Sequence, residues 1–507
     1  MPSEIQIGSR QTGDTIAVSP GATADPRRWL ILAVVALAQL MVVLDATIVN
    51  IALPSAQHAL HFSNIERQWV ITAYALAFGS LLLLGGRLAD IVGRKATFIA
   101  GLVGFAGASA VGGAAGSFGM LVVARACQGA FGALLAPAAL ALLTTTFEGS
   151  EDRGKAFGVF GAIAGAGGAV GLLLGGLLTQ YLDWRWCLYV NLIFAAIACA
   201  GAVALLRREP SRQRPRLDLP GLVTEAGGMF SIVYGFSNAA SDGWHAPATW
   251  GFLAAGAALL AAFGYIETRV SQPLLPLRIV LDRNRAASYL SILITGAGMF
   301  GIFLFLTYYL QETLGFSPVM AGLAFLPMAG AIIVGANLAN IVLLPRVGPR
   351  LLVAPGMLAA AAGLAWLTRI GVHSSYAADV LPPLLLISLG LGFVMSPSMN
   401  TGTARVAQSD AGVASAMVNT GQQVGGSIGT SLLNTVAASA AATYLAAHAT
   451  PRLMAGGHPA PALAALAEVH SYTTAFWWAA AMFAAGAVLA ALLFRRGTSA
   501  TAASARG

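Results

Sequence analysis

Residues 44–54, Leu44–Pro54, read LDATIVNIALP, and the rest of the chain is understood outward from them. The stretch closes an apolar segment that begins near Trp29 and is long enough to cross a bilayer. It sets one carboxylate, Asp45, among Met41, Val42, Val43 and Ile48. An ionisable group inside a membrane span is costly, so its default meaning is functional: a proton- or cation-carrying acid facing a polar cavity. The plainer alternative is a solvated carboxylate near the water interface.

The composition agrees with a membrane protein. With 507 residues, 57% of them hydrophobic, only 9% charged and a mean hydropathy of +0.76, the apolar surface is too large for a water-soluble core. The pI of about 9.7 could suggest nucleic acid, but the basic residues are spread through short loops between apolar spans. Nucleic acid is therefore not expected as a partner. Cys127, Cys187 and Cys199 lie in apolar segments without metal spacing, and no disulfide framework or zinc site follows.

At roughly 20 apolar residues per crossing, spans fall near 29–53, 67–87, 96–116, 120–145, 156–180, 186–206, 219–239, 248–267, 286–310, 319–344, 351–371, 381–402, 411–437 and 472–494. The expected fold is thus an all-α polytopic membrane protein of about fourteen helices. Of 28 lysines and arginines, 23 fall in the tails and alternate loops, four (Arg67, Arg185, Arg369, Arg452) in the opposite loops, and Arg125 inside a span. By the positive-inside rule both termini are expected in the cytoplasm. The Pro- and Arg-rich loop after 206 and the loop near 268–285 divide the spans into six, two and six. Expected units are a cytoplasmic tail 1–28, a six-helix half 29–206, linkers with two inserted helices 207–285, a second six-helix half 286–494 and a cytoplasmic tail 495–507. A short echo, Val92-Gly93-Arg94 against Val347-Gly348-Pro349-Arg350, fits duplicated halves.

Several residue groups carry chemistry. In the fourth span Arg125 shares a helix face with Gln128, Gly129 and Gly132. A buried arginine needs a partner, and Asp45 is the obvious one; snorkelling to the interface is the alternative. The fifth span carries Gly161, Gly165, Gly168, Gly171, Gly175 and Gly176, a small-residue stripe against which another helix can pack or rock. Glu225 in the seventh span is a second candidate for proton coupling, against an interfacial structural role. Gln128, Tyr74, Asn419 and Gln423 are candidates to line a substrate cavity, with ordinary helix packing as the alternative. In the loop Gly86–Lys95, GRLADIVGRK, Gly86 and Gly93 suit a tight turn, and Asp90 can pair with Arg94 four residues on.

That loop resembles the signature of the major facilitator superfamily, which implies that Asp90 and Arg94 latch the inner gate; Ile91 departs from the usual basic residue. LDATIVNIALP, Asp183-Trp184-Arg185-Trp186 with Asn191, Tyr309-Leu310-Gln311 running into Gly315-Phe316-Ser317-Pro318, and Gly412 to Gly429 resemble its fourteen-helix drug:H+ antiporter branch. GLLLGG, Gly171–Gly176, is similar to the exporters' antiporter motif, with Leu172 where proline is usual. The resemblance implies two six-helix halves plus two inserted helices. It also implies export of drugs or other amphipathic small molecules across the cytoplasmic membrane by proton antiport, with Arg125 implicated in proton transfer. A dedicated exporter of one endogenous metabolite and a proton-coupled importer are the alternatives. The expected partners are a small-molecule substrate, protons and the lipid bilayer, with a periplasmic adaptor protein left open. No cofactor beyond the coupling proton is expected. Without a metal-ligand cluster, a nucleophile–base pair or a phosphate-binding loop, no enzyme activity is expected either.

Overall fold

The structure is a computed structural model that describes residues 27–64, 66–147, 152–206, 218–270, 273–404, 406, 411–448, 454–455 and 458–495. Its helices are α1 Arg28–Leu60, α2 Gln68–Val92, α3 Arg94–Gly113, α4 Phe118–Thr146, α5 Arg153–Tyr181, α6 Trp186–Leu205, α7 Leu219–Asp242 and α8 Pro247–Glu267. They continue with the short α9 Leu277–Val280, α10 Arg283–Tyr308, α11 Pro318–Ala324, α12 Leu326–Asn337, α13 Leu344–Val347, α14 Arg350–Leu367, α15 Leu381–Thr403, α16 Ala411–His448 and α17 Pro461–Leu493. A π-helical turn, Tyr309–Thr313, prolongs α10, and another, Leu338–Leu343, joins α12 to α13, so that α11–α13 form one interrupted rod. A two-residue β-bridge pairs Met454–Ala455 with His458–Pro459.

Among the described residues eleven helical segments are long and apolar enough to cross a membrane. Helices α5, α7 and α16, of 29, 24 and 38 residues, also have spanning length, which brings the helical segments of that length to the expected fourteen. The molecule is a multi-pass membrane protein. Local chemistry sets many of the helix ends: Ser117, Asp218, Asp282 and Ser317 accept backbone N–H groups at the starts of α4, α7, α10 and α11. Between α2 and α3, Gly93 takes a φ of 103°, a left-handed turn that glycine makes without steric cost.

The helix boundaries differ from expectation most at the C-terminal end. Helix α17 starts at Pro461, not near 472, and α16 runs on to His448. Ala462–Ala467 is alanine-rich, so its helix propensity exceeds what hydropathy alone suggests. His448 and His470 therefore lie on helices, with ring centroids 4.1 and 4.9 Å from that of Tyr444.

Helices α1–α6 pack mainly on one another, α2 on α4, α4 on α3 and α1 on α5 and α6; α10–α17 form a second group around α10, α14, α15 and α17. The hairpin α7–α8 rests on α2 and α16, one helix from each group. The groups also meet through α2 and α16, α5 and α11, and α1 and α10. At the face carrying the α1–α2 turn, Gln311 Nε2 donates to the Ile51 carbonyl (3.0 Å), His58 meets Glu312 (3.2 Å), the Val319 N–H donates to Gln180 (3.1 Å), and Tyr308 donates to Gln57.

The crossing of α5 and α11 is made possible by small residues. A Cβ on Gly176 would lie 2.6 Å from the Pro318 carbonyl oxygen, and one on Gly322 would lie 2.7 Å from that of Leu172. Leu172, where the motif proline was expected, is buried in this crossing, and α5 runs unbroken from Arg153 to Tyr181. Gly176→Leu should force the two rods apart, since backbone cannot yield as a side chain can. The overpacked crossing should cost about 1–3 kcal/mol of stability. Thermal unfolding of the purified variant beside wild type measures this.

Candidate functional site

Asp45 sits midway along α1 and is fully buried. Its Oδ2 accepts a 2.6 Å hydrogen bond from Arg125 Nη1, and its Oδ1 accepts from Gln128 Nε2 at 2.9 Å and Asn191 Nδ2 at 2.7 Å. Arg125 is only 2% exposed; its Nε donates to the Val70 carbonyl (3.0 Å) and its Nη1 also to Gln128 Oε1 (3.0 Å). Gln128 Nε2 in turn reaches Ser109 Oγ at 2.7 Å. Five helices, α1, α2, α3, α4 and α6, thus converge on one buried ion pair. Bonds of this kind offset the desolvation cost of placing both charges in a low-dielectric interior.

The local fold explains the convergence. Arg125 and Gln128 are three residues apart on α4 and share a face. A Cβ on Gly129 would lie 2.2 Å from the Tyr74 carbonyl oxygen, so glycine there lets α4 close on α2. That approach places the Tyr74 ring centroid 4.5 Å from the Arg125 guanidinium carbon, a cation–π contact that adds to the stabilisation of the buried cation. Gly171 and Gly175 of α5 lie against Leu44, Thr47 and Ile48, the turn of α1 that carries Asp45, with Gly168 beside Thr47. Beyond Arg125 toward the α1–α2 turn is a small apolar cavity lined by Val49, Leu53, Val70, Leu121, Trp184 and Cys187.

The expected pairing of Asp45 with Arg125 is therefore present. Tyr74 and Gln128, expected on a substrate cavity wall, are instead buried inside the ion-pair network, because close α2–α4 packing encloses them. Gln423 is half-buried on α16 with its Cβ against Gly79 of α2, while Asn419 is exposed and donates to Ser415 of its own helix. The four do not form one wall. Glu225 is not among the groups that bond Asp45 or Arg125: it lies on α7 in the accessory hairpin, 2% exposed, with no hydrogen bond to either carboxylate oxygen among the described residues. As a second candidate for proton coupling it would therefore act apart from the ion pair, and its burial places it inside the hairpin packing and away from a solvated interface.

The expected loop Gly86–Lys95 is mostly helix: Gly86, expected in the turn, lies within α2 facing Pro137, because only Gly93 breaks the helix; Arg87 Nη2 donates to the Pro273 carbonyl (2.8 Å), and Lys95 reaches the carbonyls of Val203 and Leu206 at the end of α6. Arg94 opens α3 and is engaged in an interaction. The Asp90 side chain, and the surroundings of Gly161 and Gly165 on α5, lie outside the described residues.

Two site residues escaped assignment to the network from sequence, Asn191 and Ser109. The available signal was an amide in the middle of an apolar span, where a polar side chain needs an internal partner. Asn191→Ala removes one of three donors to a buried carboxylate and should lower stability by about 1.5–3 kcal/mol. Thermal unfolding of the purified protein, compared with Asn191→Asp and wild type, measures it.

Comparison with known proteins gives the family and the fold. The sequence profile described as Major Facilitator Superfamily matches residues 35–430. The puromycin resistance protein pur8 of Streptomyces alboniger is 52% identical over 471 residues, covering 92% of each chain. The cephamycin export protein CmcT of Amycolatopsis lactamdurans is 39% identical over 436 residues, covering 85% of this chain and 88% of the relative. Among solved structures, a point mutant of the nucleoside transporter NupG superposes with a TM-score of 0.62 at 12% identity, over 92% of this chain and 100% of its own, which speaks to fold alone. The chain belongs to the Major Facilitator Superfamily and has the fold of its transporters.

Proposed function

We propose that this protein exports antibiotic-like small molecules from the cytoplasm in exchange for protons, and that Asp45 is the proton-carrying group. The observation that carries the reading is the buried 2.6 Å Asp45–Arg125 pair. The 52% identity to a puromycin resistance protein supports the direction and the substrate class. The basic-residue asymmetry supports placing both termini in the cytoplasm, which makes the α1–α2 face the outer one.

In this orientation the contacts of Gln57, His58, Gln180 and Gln311 with the α10–α11 region close the outer side. Asp45 has no path to bulk water while it is fully buried. A proton can reach it only after the outer contacts part and water enters the apolar cavity beside Arg125. Protonation removes the negative charge, and the pair with Arg125 loses its Coulombic attraction. A ligand biases a two-state equilibrium only through its differential affinity for the states. Protonated Asp45 and bound substrate favour different arrangements of α1, α4 and α6, and that difference couples the two fluxes. The glycine contacts of α5 with α1 and α11 supply the surface over which the groups move.

A drug-sensitive bacterium expressing the wild-type chain should tolerate several-fold more puromycin than the vector control, and Asp45→Asn should return to the control level at equal membrane abundance. Equal tolerance conferred by both proteins would sink the reading.

A further inference from the structure

Arg67 precedes α2 and is counted from sequence among solvated loop charges, yet it is 3% exposed. Its guanidinium carbon lies 4.1 Å from the Tyr308 ring centroid and 5.7 Å from that of Phe305. Tyr472 packs against Phe305 with ring centroids 6.1 Å apart, and Glu312 and Glu468 each lie four residues, about one helical turn, from Tyr308 and Tyr472. Arg67 Nε has no hydrogen-bond partner. The contacts that hold the guanidinium are thus the faces of Tyr308 and Phe305. Every member of this enclosure comes from α10, the turn that follows it, or α17, whereas the arginine comes from the α1–α6 group.

We propose that Phe305, Tyr308 and Tyr472, with Glu312 and Glu468 beside them, form a binding box for organic cations of guanidinium or ammonium type, which Arg67 fills from the opposite helical group in this conformation. Rings of this kind bind a desolvated cation through their quadrupoles, and flanking carboxylates set the sign of the charge accepted. When the groups separate at the α1–α2 face, the box stays with α10 and α17 while Arg67 leaves with α2. The emptied box then faces the opening. A cationic substrate on its way out can occupy it, and Arg67 displaces that substrate when the groups close again. The use of the box in export rests on the antiport proposed above; the existence of the box does not.

Chemical rescue tests it without any transport step. Arg67→Ala, purified in detergent, should unfold at a lower temperature than wild type. Ethylguanidinium chloride should then raise its midpoint saturably, by about 2 °C or more at millimolar concentration. Sodium chloride at the same ionic strength should not, and neither wild type nor Arg67→Ala/Tyr308→Leu should respond to ethylguanidinium. No rise in Arg67→Ala, or an equal rise in wild type or in the double variant, would overturn the box. If Arg67→Ala does not fold, Arg67→Gln, closer in volume, carries the same comparison. Rescue in a protein that shows no proton exchange would leave the box standing and remove the antiport, and exchange without rescue would do the reverse.

Discussion

Arg125→Ala should be the most damaging single change at the site, lowering stability by about 3–5 kcal/mol, because it leaves the Asp45 carboxylate buried without a counter-charge. The hydrogen bond to the Val70 carbonyl and the contact with the Tyr74 ring go with it. The double variant Asp45→Asn/Arg125→Gln tests the origin of the loss, since it removes both charges and keeps groups able to hydrogen-bond. Its unfolding midpoint should recover most of the way to wild type while export stays absent. A double variant as unstable as Arg125→Ala would assign the cost to lost packing and not to the unpaired charge. Thermal unfolding of the three purified proteins gives the comparison.

The second large effect is expected from Asp45→Asn. Asparagine fills nearly the same space and can still accept hydrogen bonds, and Arg125 keeps its bonds to the Val70 carbonyl and Gln128. The variant should therefore fold and reach the membrane. A neutral side chain cannot cycle a proton, so gradient-driven export should fall by about a hundredfold or more, at least 2.7 kcal/mol or so of lost coupling to the driving force. Substrate binding should change far less, because Asp45 is enclosed by protein in this conformation. Dye or drug binding to the purified variant, set beside its export rate, separates the two quantities.

Sequence and structure agree where charge meets hydropathy. Asp45 and Arg125 were legible because each interrupts an apolar span, and an unpaired charge there is expensive enough to require its partner. The fourteen segments were legible for the same reason, apart from their ends. Asn191 and Ser109 were not assigned to the site because an amide or hydroxyl in a span has many cheap solutions, and only the three-dimensional convergence of α3 and α6 selects this one. Arg67 was hidden more completely. Its place before α2 makes it a loop charge in sequence, and its burial arises with packing against Phe305 and Tyr308 of α10, some 240 residues away along the chain. The place of Glu225 was not legible either. A carboxylate in an apolar span invited the same inference as Asp45, but α7 lies in the hairpin on α2 and α16, apart from the ion pair. Periodicity gives the face of a helix and not its neighbour.

Proton movement in proteoliposomes tests the central claim most directly. Purified protein is reconstituted with a pH-sensitive dye inside, a pH gradient is imposed, and puromycin is added to wild type and to Asp45→Asn. The account predicts substrate-dependent dissipation of the gradient by wild type and none above the protein-free leak by the variant. Equal substrate-dependent proton flux through both proteins would contradict it and would leave the Asp45–Arg125 pair a structural feature of the helix bundle.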